Sequence, residues 1–482
     1  MKRSAFAPLL LLVLALVTLQ GCGGSGGSDA PAPLTGDAIN LVFVVSPDIA
    51  YPGDGDVNPD TGNLSSRGLH RSLLLATFLK QRVLGGNNVT SISVLEPMTH
   101  LQTANSYPDM AGIGYIQQFA LLNQVTLQGT TAYSYFLAAT YGAGSEPSGV
   151  YTPTSRVAAA QGLDFRDTAG NNVVLATNII NSRRPGFYVF SAPWDTIRAL
   201  MVNINLARRY GLPIPLSYEG PNIVYTISIL PSGVASFTAY NANLFPSSTY
   251  PVLPSPVTYT SVCTQQASSQ FSFTRAAGVN GVVVPANMNV NSTVYLVRHA
   301  EAHPGSPNWD DGNYVGTGQW RALAIPDALR GRINPSQVWS IDPSQAFIVN
   351  NVDLFSYVRP SLTVLPYAIA NNLPYNLVAS FYISSANDPA AAQATSNFFF
   401  AGGRFSNKTI LVAWEHEHFP PLISYLLQTY GGSVAAPTLT WPANDYDTIW
   451  RVTLDGSGNV TVDNSLCEGI DTSNLPASPP QF

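Results

Sequence analysis

The chain has 482 residues, 45% of them hydrophobic and only 10% charged, with a formal net charge of −6. That much apolar material excludes disorder over most of the chain, and at about 150 residues per domain it suggests two or three domains. No run of Lys or Arg exceeds a pair, which excludes a basic stripe laid against nucleic-acid phosphates.

The first elements form a targeting signal. Lys2 and Arg3 are followed by an uncharged, Leu-rich run from Ala5 to Leu19, too short to be read first as a spanning helix. It ends in Leu19-Gln20-Gly21-Cys22, which resembles the lipobox of bacterial lipoproteins. The resemblance implies removal of residues 1–21 and acylation of Cys22; the alternative is an ordinary secretory signal with Cys22 incidental. Residues 22–36, Gly/Ser/Ala/Pro-rich from Gly23 to Pro33, serve as a flexible tether. No later stretch reaches 18 apolar residues, so the expectation is a lipid-anchored envelope protein. Gly23, where an acidic residue could stand, implies outer-membrane sorting facing the periplasm. Export also bears on Cys263 and Cys467, the two remaining thiols, which form a natural disulfide pair in an oxidising compartment; two buried free thiols are the alternative.

Beyond the tether the chain repeats itself. The β-run Leu41 to Ser46-Pro47 matches Val294 to Arg298-His299. Asn58, Asp60, Gly62 and Asn63 recur 250 residues later as Asn308, Asp310, Gly312 and Asn313, and at that offset Gly68, Arg71 and Leu73 recur as Gly318, Arg321 and Leu323, where each half begins a helical pattern. Ser106-Tyr107 recurs as Ser356-Tyr357. The β-runs from Phe187 and from Thr409 each lead into a helical stretch ending in Tyr-Gly, at Tyr210-Gly211 and Tyr430-Gly431. A closing hairpin follows in each half, Tyr225 to Tyr240 and Ile449 to Val462. The Pro/Ser/Thr/Val-rich residues 251–292 form a linker or wrapping arm between the copies, 37–250 and 293–482. Alternating β-runs and helices imply mainly parallel sheets covered on both faces, with chemistry beyond the carboxyl ends of the strands.

The second copy carries the chemistry-bearing residues. Its first strand ends in Arg298-His299-Ala300-Glu301, Arg359 and Thr363 open a later helix, and Ile410-Leu-Val-Ala-Trp-Glu415-His416 is a late strand ending in a His. A transferring phosphoryl group spreads charge over three oxygens and needs fixed donors and an in-line nucleophile. Arg298 and Arg359 are planar, permanently charged forks suited to those oxygens, His416 can donate further, and His299 can attack phosphorus through one ring nitrogen while a carbonyl holds the other. Over roughly residues 293–465 this ordered set resembles the histidine phosphatase superfamily, also called phosphoglycerate mutase-like. The resemblance implies an α/β fold of two tandem three-layer domains with mainly parallel sheets, the first degenerate. It gives Arg298, His299, Arg359 and His416 these same roles without metal or organic cofactor.

The general acid stays open among Glu301, Asp388 and Glu415. A rival reading makes His299, His303, His416, Glu417 and His418 metal ligands; the spacing fits no common zinc motif, and Arg298 and Arg359 would repel a dication. The first copy has Ser46 and Pro47 at the positions given to Arg298 and His299, Asp109 at Arg359, and Ser191-Ala192-Pro193 around His416, so it lacks the reaction's donors and nucleophile. The expected activity is hydrolysis of a phosphorylated small molecule or other phosphomonoester, with no nucleic-acid partner and a membrane contact only through the lipid anchor. The alternative is a non-catalytic lipoprotein that binds an anionic ligand or a protein. Loops between Asp342 and Arg359 and between Tyr382 and Lys408 are the candidate specificity segments.

Overall fold

The computed structural model describes residues 30–51, 53, 55–95, 97, 102, 108–126, 135–136, 150–151, 172–260, 263, 270–302, 312–343, 346–349, 353–378 and 389–482. The signal peptide, Cys22, Ser106, Tyr107, His303, Asn308, Asp310 and Asp388 lie outside the described residues.

In the first half the elements are β1 (Ile39–Val45), α1 (Ser66–Phe78), β2 (Ser91–Val94), α2 (Ala111–Thr126), β3 (Tyr135–Phe136), β4 (Val150–Tyr151), α3 (Asn172–Ser182), β5 (Gly186–Ala192), α4 (Trp194–Arg208), β6 (Ile223–Ile229) and β7 (Ala235–Asn241). The connecting arm holds β8 (Ser272–Arg275). The second half runs β9 (Ser292–Arg298), α5 (Gly316–Ala328), β10 (Gln337–Ile341), β11 (Ala346–Val349), β12 (Asp353–Ser356), α6 (Arg359–Ala370), β13 (Tyr375–Val378), α7 (Pro389–Phe400), β14 (Thr409–Trp414), α8 (Phe419–Thr429), β15 (Thr448–Leu454) and β16 (Val460–Cys467).

The two halves have the same topology. One sheet is ordered β3-β2-β5-β1-β6-β7, and the other contains β13-β10-β14-β9-β15-β16, the same sequence of counterparts. In each, the strands on one side of the central strand run parallel to it and the closing hairpin on the other side is antiparallel. The second sheet is extended at both edges. Residues 150–151 of the first half add β4 beside β13, and β8 of the arm pairs with β16. The span 37–250 therefore does not stay within its own sheet, and the arm is part of the second sheet. Strands β11 and β12 pair only with each other.

Strand register corrects one detail of the internal alignment. Val45 pairs with Ala192 as Arg298 pairs with Trp414, and the N–H of Ser46 donates to the Ala192 carbonyl as that of His299 donates to Trp414. Val45 thus stands at the place of Arg298 and Ser46 at that of His299, one residue earlier than the Ser46-Pro47 match. By the same count Trp194 falls at the place of His416.

Period-2 alternation places the core. On β1, Leu41, Phe43 and Val45 join a buried cluster with α4 residues Ile197 and Leu200, while Val42 and Val44 face the cluster that includes α1 and α2. That second cluster continues without a break into α5 and α6 of the other half, through Leu323, Leu362 and Leu365. The far face of the second sheet packs on α7 and α8 through Leu296, Val412, Phe399 and Leu422. Each half is thus a three-layer α/β unit, and the inner helix layers share one core. Each fully buried Val, Leu or Phe contributes roughly 1.5–3 kcal/mol, so the halves are bound as parts of one hydrophobic interior. Polar groups fix their register: Gln117 and Asn313 exchange hydrogen bonds of 2.9 and 3.2 Å, and Asn63 donates to the Leu373 carbonyl at 3.1 Å. A cavity lined by Leu73, Gln117, Tyr314, Leu323 and Leu365 lies between these helices, away from His299.

Both first helices need a glycine near their start. A Cβ at Gly68 would meet the Asp56 carbonyl oxygen at 2.0 Å, and one at Gly318 the Glu301 carbonyl oxygen at 2.9 Å, because the loop from the central strand crosses that turn. The arm is tied down covalently: Cys263 and Cys467 form a disulfide with Cα atoms 5.5 Å apart. Among the described residues no helix is long and apolar enough to cross a membrane.

Candidate active site

Strand β9 is flanked by β14 and β15, so its carboxyl end opens at the middle of the sheet. His299 is the first residue past that end and is 1% exposed. Its Nδ1 lies 2.8 Å from the Ala300 carbonyl oxygen. A carbonyl can only accept, so Nδ1 carries the proton and Nε2 keeps its lone pair. Burial, then the charges of Arg359 and Arg298, hold this imidazole well below the usual histidine range. A neutral ring with a bare Nε2 is the form a nucleophile requires.

The two arginines are buried beside it, each 5% exposed. Arg298 donates from Nη1 to the carbonyls of Ala443 at 2.5 Å and Asp445 at 3.3 Å, and its guanidinium lies 3.9 Å from the centre of the Tyr446 ring. Asp445 shapes that loop by accepting from the N–H groups of Asp447 and Thr448 and from the Thr448 hydroxyl. Arg359 opens α6, its guanidinium 4.7 Å from the centre of the Tyr357 ring. Thr363, one turn on, donates to the Arg359 carbonyl at 2.7 Å and accepts from the Ala300 N–H at 2.8 Å, coupling the helix to the end of β9. Tyr357 and Tyr446 also flank the imidazole, with ring centres 6.2 and 6.1 Å from it. Aromatic faces attract guanidinium groups, which lets two like charges be held near one another around a neutral ring.

The turn after β14 completes the cluster. One ligand-type atom each of His299, Glu415 and His416 lie within 4.8 Å of one another. The Glu415 Oε1 is 2.5 Å from His416 Nδ1, a close ion-pair contact too bent for a straight hydrogen bond, and its Oε2 is 2.8 Å from His418 Nδ1. Burial opposes the charge on Glu415, but the contacts from His416 and His418 outweigh it and hold the carboxyl well below its usual range. His418 stacks on Trp414 with ring centres 4.5 Å apart.

The structure thus brings together Arg298, His299, Arg359 and His416 and adds Glu415. It draws Glu301 away: its Oε1 accepts from Arg321 Nε and from the Thr472 hydroxyl, both at 2.8 Å. A like pairing occurs in the first half between Asp56 and Arg71, so the contact through Glu301 Oε1 belongs to the architecture common to both halves. Asp388, the other open candidate for the acid, lies outside the described residues. His299, Glu415 and His416 have the donor types of a metal site, but the two adjacent guanidinium groups oppose a dication. Of the other residues around the site, Tyr357 stood out in sequence only through the repeated Ser-Tyr pair and His418 only in the rival metal set, while Tyr446 was not singled out.

The matching end of β1 is filled. Gln102 donates to the Pro47 carbonyl at 3.1 Å and to Asp109 Oδ1 at 2.6 Å, and its oxygen accepts from the Ile49 N–H. Trp194 packs there against Tyr218 and Tyr225. Amide–carboxylate hydrogen bonds and aromatic packing stand where the second half keeps its guanidinium groups.

No family model and no curated protein matches this chain. Among solved structures it is similar to that of the protein histidine phosphatase SixA complexed with tungstate, at 20% identity and a TM-score of 0.24 over 36% of this chain and 97% of that one. It is also similar to a phosphoserine phosphatase mutant from Entamoeba histolytica in complex with phosphoserine, at 14% identity and 0.23 over 36% and 96%. A mycobacterial glucosyl-3-phosphoglycerate phosphatase gives 11% and 0.25 over 36% and 98%.

Proposed function

We propose that the protein hydrolyses phosphomonoesters through a phosphohistidine formed on Nε2 of His299, with the first half serving as a non-catalytic scaffold. The observation that carries this reading is the state of His299: buried, neutral, its Nδ1 proton committed to the Ala300 carbonyl, and set between two buried guanidinium groups. Arg298 and Arg359 neutralise the ester and stabilise charge on the equatorial oxygens, and the fixed Nε2 attacks in line. Water then cleaves the phosphoramidate bond. Removing one charged donor of this type costs on the order of a hundred- to a thousandfold in rate.

The purified protein should hydrolyse an aryl phosphate without added metal, and a phosphorylated substrate should label it with acid-labile, base-stable phosphate. His299→Ala should abolish the label and lower turnover by several orders of magnitude. Normal labelling in that variant, or activity removed by a chelator, would overturn the reading.

The protein would act from the bacterial envelope, anchored through acylated Cys22, most simply at the outer membrane facing the periplasm. The Cys263–Cys467 disulfide supports an oxidising compartment. Cys22→Ser should release the protein from membranes or block its processing, and an unchanged mass and membrane fraction would reject the anchor.

A further inference from the structure

Resting on the phosphatase reading, we infer that His416 carries the proton for the leaving oxygen, and that Glu415, clamped on its far side by His418, is the positioning residue that fits it for this. A phosphoryl transfer to His299 needs a proton donor for any leaving group that is a poor anion, and among the described residues the geometry leaves few. Glu301 is occupied by Arg321 and Thr472. Glu417 is exposed, its backbone N–H turned back to Glu415 Oε2 at 2.9 Å. Glu415 has both oxygens against histidine Nδ1 atoms.

The Glu415 carboxylate sits 2.5 Å from Nδ1 of His416, which leaves Nε2 as the nitrogen that can exchange a proton with the leaving oxygen. The clamp is rigid. His418 bonds to Oε2 at 2.8 Å and lies flat on Trp414, which is 2% exposed at the end of β14. Charged and titratable groups facing the pair are Arg298 and His299 from β9 and its end, Arg359 from α6, and Glu417 and His418 from its own turn.

The steps balance. As the bond from His299 Nε2 to phosphorus forms and the ester P–O bond breaks, the Nε2 proton of His416 passes to the leaving oxygen. Water oxygen then bonds to phosphorus as the N–P bond breaks, and its proton returns to His416 Nε2.

The test compares 4-nitrophenyl phosphate, whose leaving group needs little protonation, with glycerol 2-phosphate, whose leaving group needs it fully. Glu415→Gln should lower kcat/KM by about a hundredfold for the alkyl ester and less than about tenfold for the aryl ester. His418→Phe keeps the ring on Trp414 and removes the hydrogen bond, so it should show the same selectivity with a smaller loss. It also decides the matter should Glu415→Gln fail to fold. Equal losses on both esters would reduce Glu415 and His418 to structural residues, leaving the phosphatase reading intact. A wild-type protein inert towards both esters would overturn both.

Discussion

Arg321 donates from Nε to Glu301 at 2.8 Å in the second half, as Arg71 donates from Nε to Asp56 at 2.6 Å in the first, and both guanidinium groups are fully buried. The correspondence extends outward, since Arg71 Nη1 bonds to Asn222 while Arg321 lies 3.7 Å from Asp447, each residue directly preceding the first strand of the closing hairpin. In both halves the arginine ties the loop after the central strand to the hairpin, and the pair persists where Arg298, His299, Arg359 and His416 have no counterparts.

The second-half cluster is the more costly one. Arg321 also bonds to Glu468 at 2.6 Å, so one cation serves three buried carboxyl groups. Arg321→Met should destabilise by ~3–5 kcal/mol, because it strands buried acids. Burial raises the Glu468 carboxyl to about 8 despite Arg321. The folded form therefore binds more protons than the unfolded chain between the ordinary glutamate value and about 8. Its contribution to stability is complete below that window and is lost as pH rises through it. Melting temperature measured across this range should fall less in Glu468→Gln than in the parent protein.

His299 acts at the other end of the pH scale. Its folded imidazole resists protonation, whereas the unfolded one titrates near its ordinary value. Between those two values the unfolded chain binds more protons, so the contribution is present above the ordinary histidine range and fades as pH falls below it. His299→Gln should flatten that acid-side loss in a denaturation series. An unchanged slope would mean that another group sets it.

Arg359→Ala removes a buried donor and also the charge that helps keep His299 neutral. The expected loss is on the order of a hundred- to a thousandfold in kcat/KM, with melting temperature nearly retained because Thr363 still joins α6 to β9. Steady-state kinetics with an aryl phosphate checks this directly.

The Cys263–Cys467 bridge closes a loop of 204 residues in sequence separation. In the loop-entropy model that is worth up to roughly 5 kcal/mol. Cys263→Ser, or reductant, should lower the denaturation midpoint while leaving activity at low temperature, since the site's side chains sit on other elements. Thiol titration of the denatured, unreduced protein without Cys22 should find none.

Restoring the two strand-end residues to the first half should not create a second site. With Val45→Arg and Ser46→His in a His299→Ala background, Gln102, Asp109 and Trp194 still fill the space. Phosphoenzyme labelling of this variant should remain absent. A label on residue 46 would show that the first half lacks only its nucleophile and one arginine.

Much of this protein was legible along the chain because it depends on local pattern. Apolar runs ending in a polar turn marked β1 and β9, the shared Gly-x-x-Arg spacing marked α1 and α5, and the common order of elements marked the duplication. Arg298-His299 alone would read as a solvated turn; it became informative as one of an ordered set with Arg359, Thr363 and the late strand ending in His416.

Register and partner choice were decided elsewhere. A one-residue shift in matching β1 to β9 leaves the apolar run plausible, and only pairing with β5 and β14 fixes Val45 opposite Ala192 and Arg298 opposite Trp414. Glu301 and Glu415 look alike in sequence, each one or two residues from a key histidine. They part because Arg321 reaches Glu301 from α5, while His416 and His418 close on Glu415 within a single turn. Tyr446 meets Arg298 across 148 positions of chain, and β4 leaves its own half for the second sheet. A sequence by itself determines which segments must bury an apolar face; which charged groups then meet is set by distances that exist only once the sheets have formed, since Coulomb and hydrogen-bond energies depend on separation in space rather than along the chain.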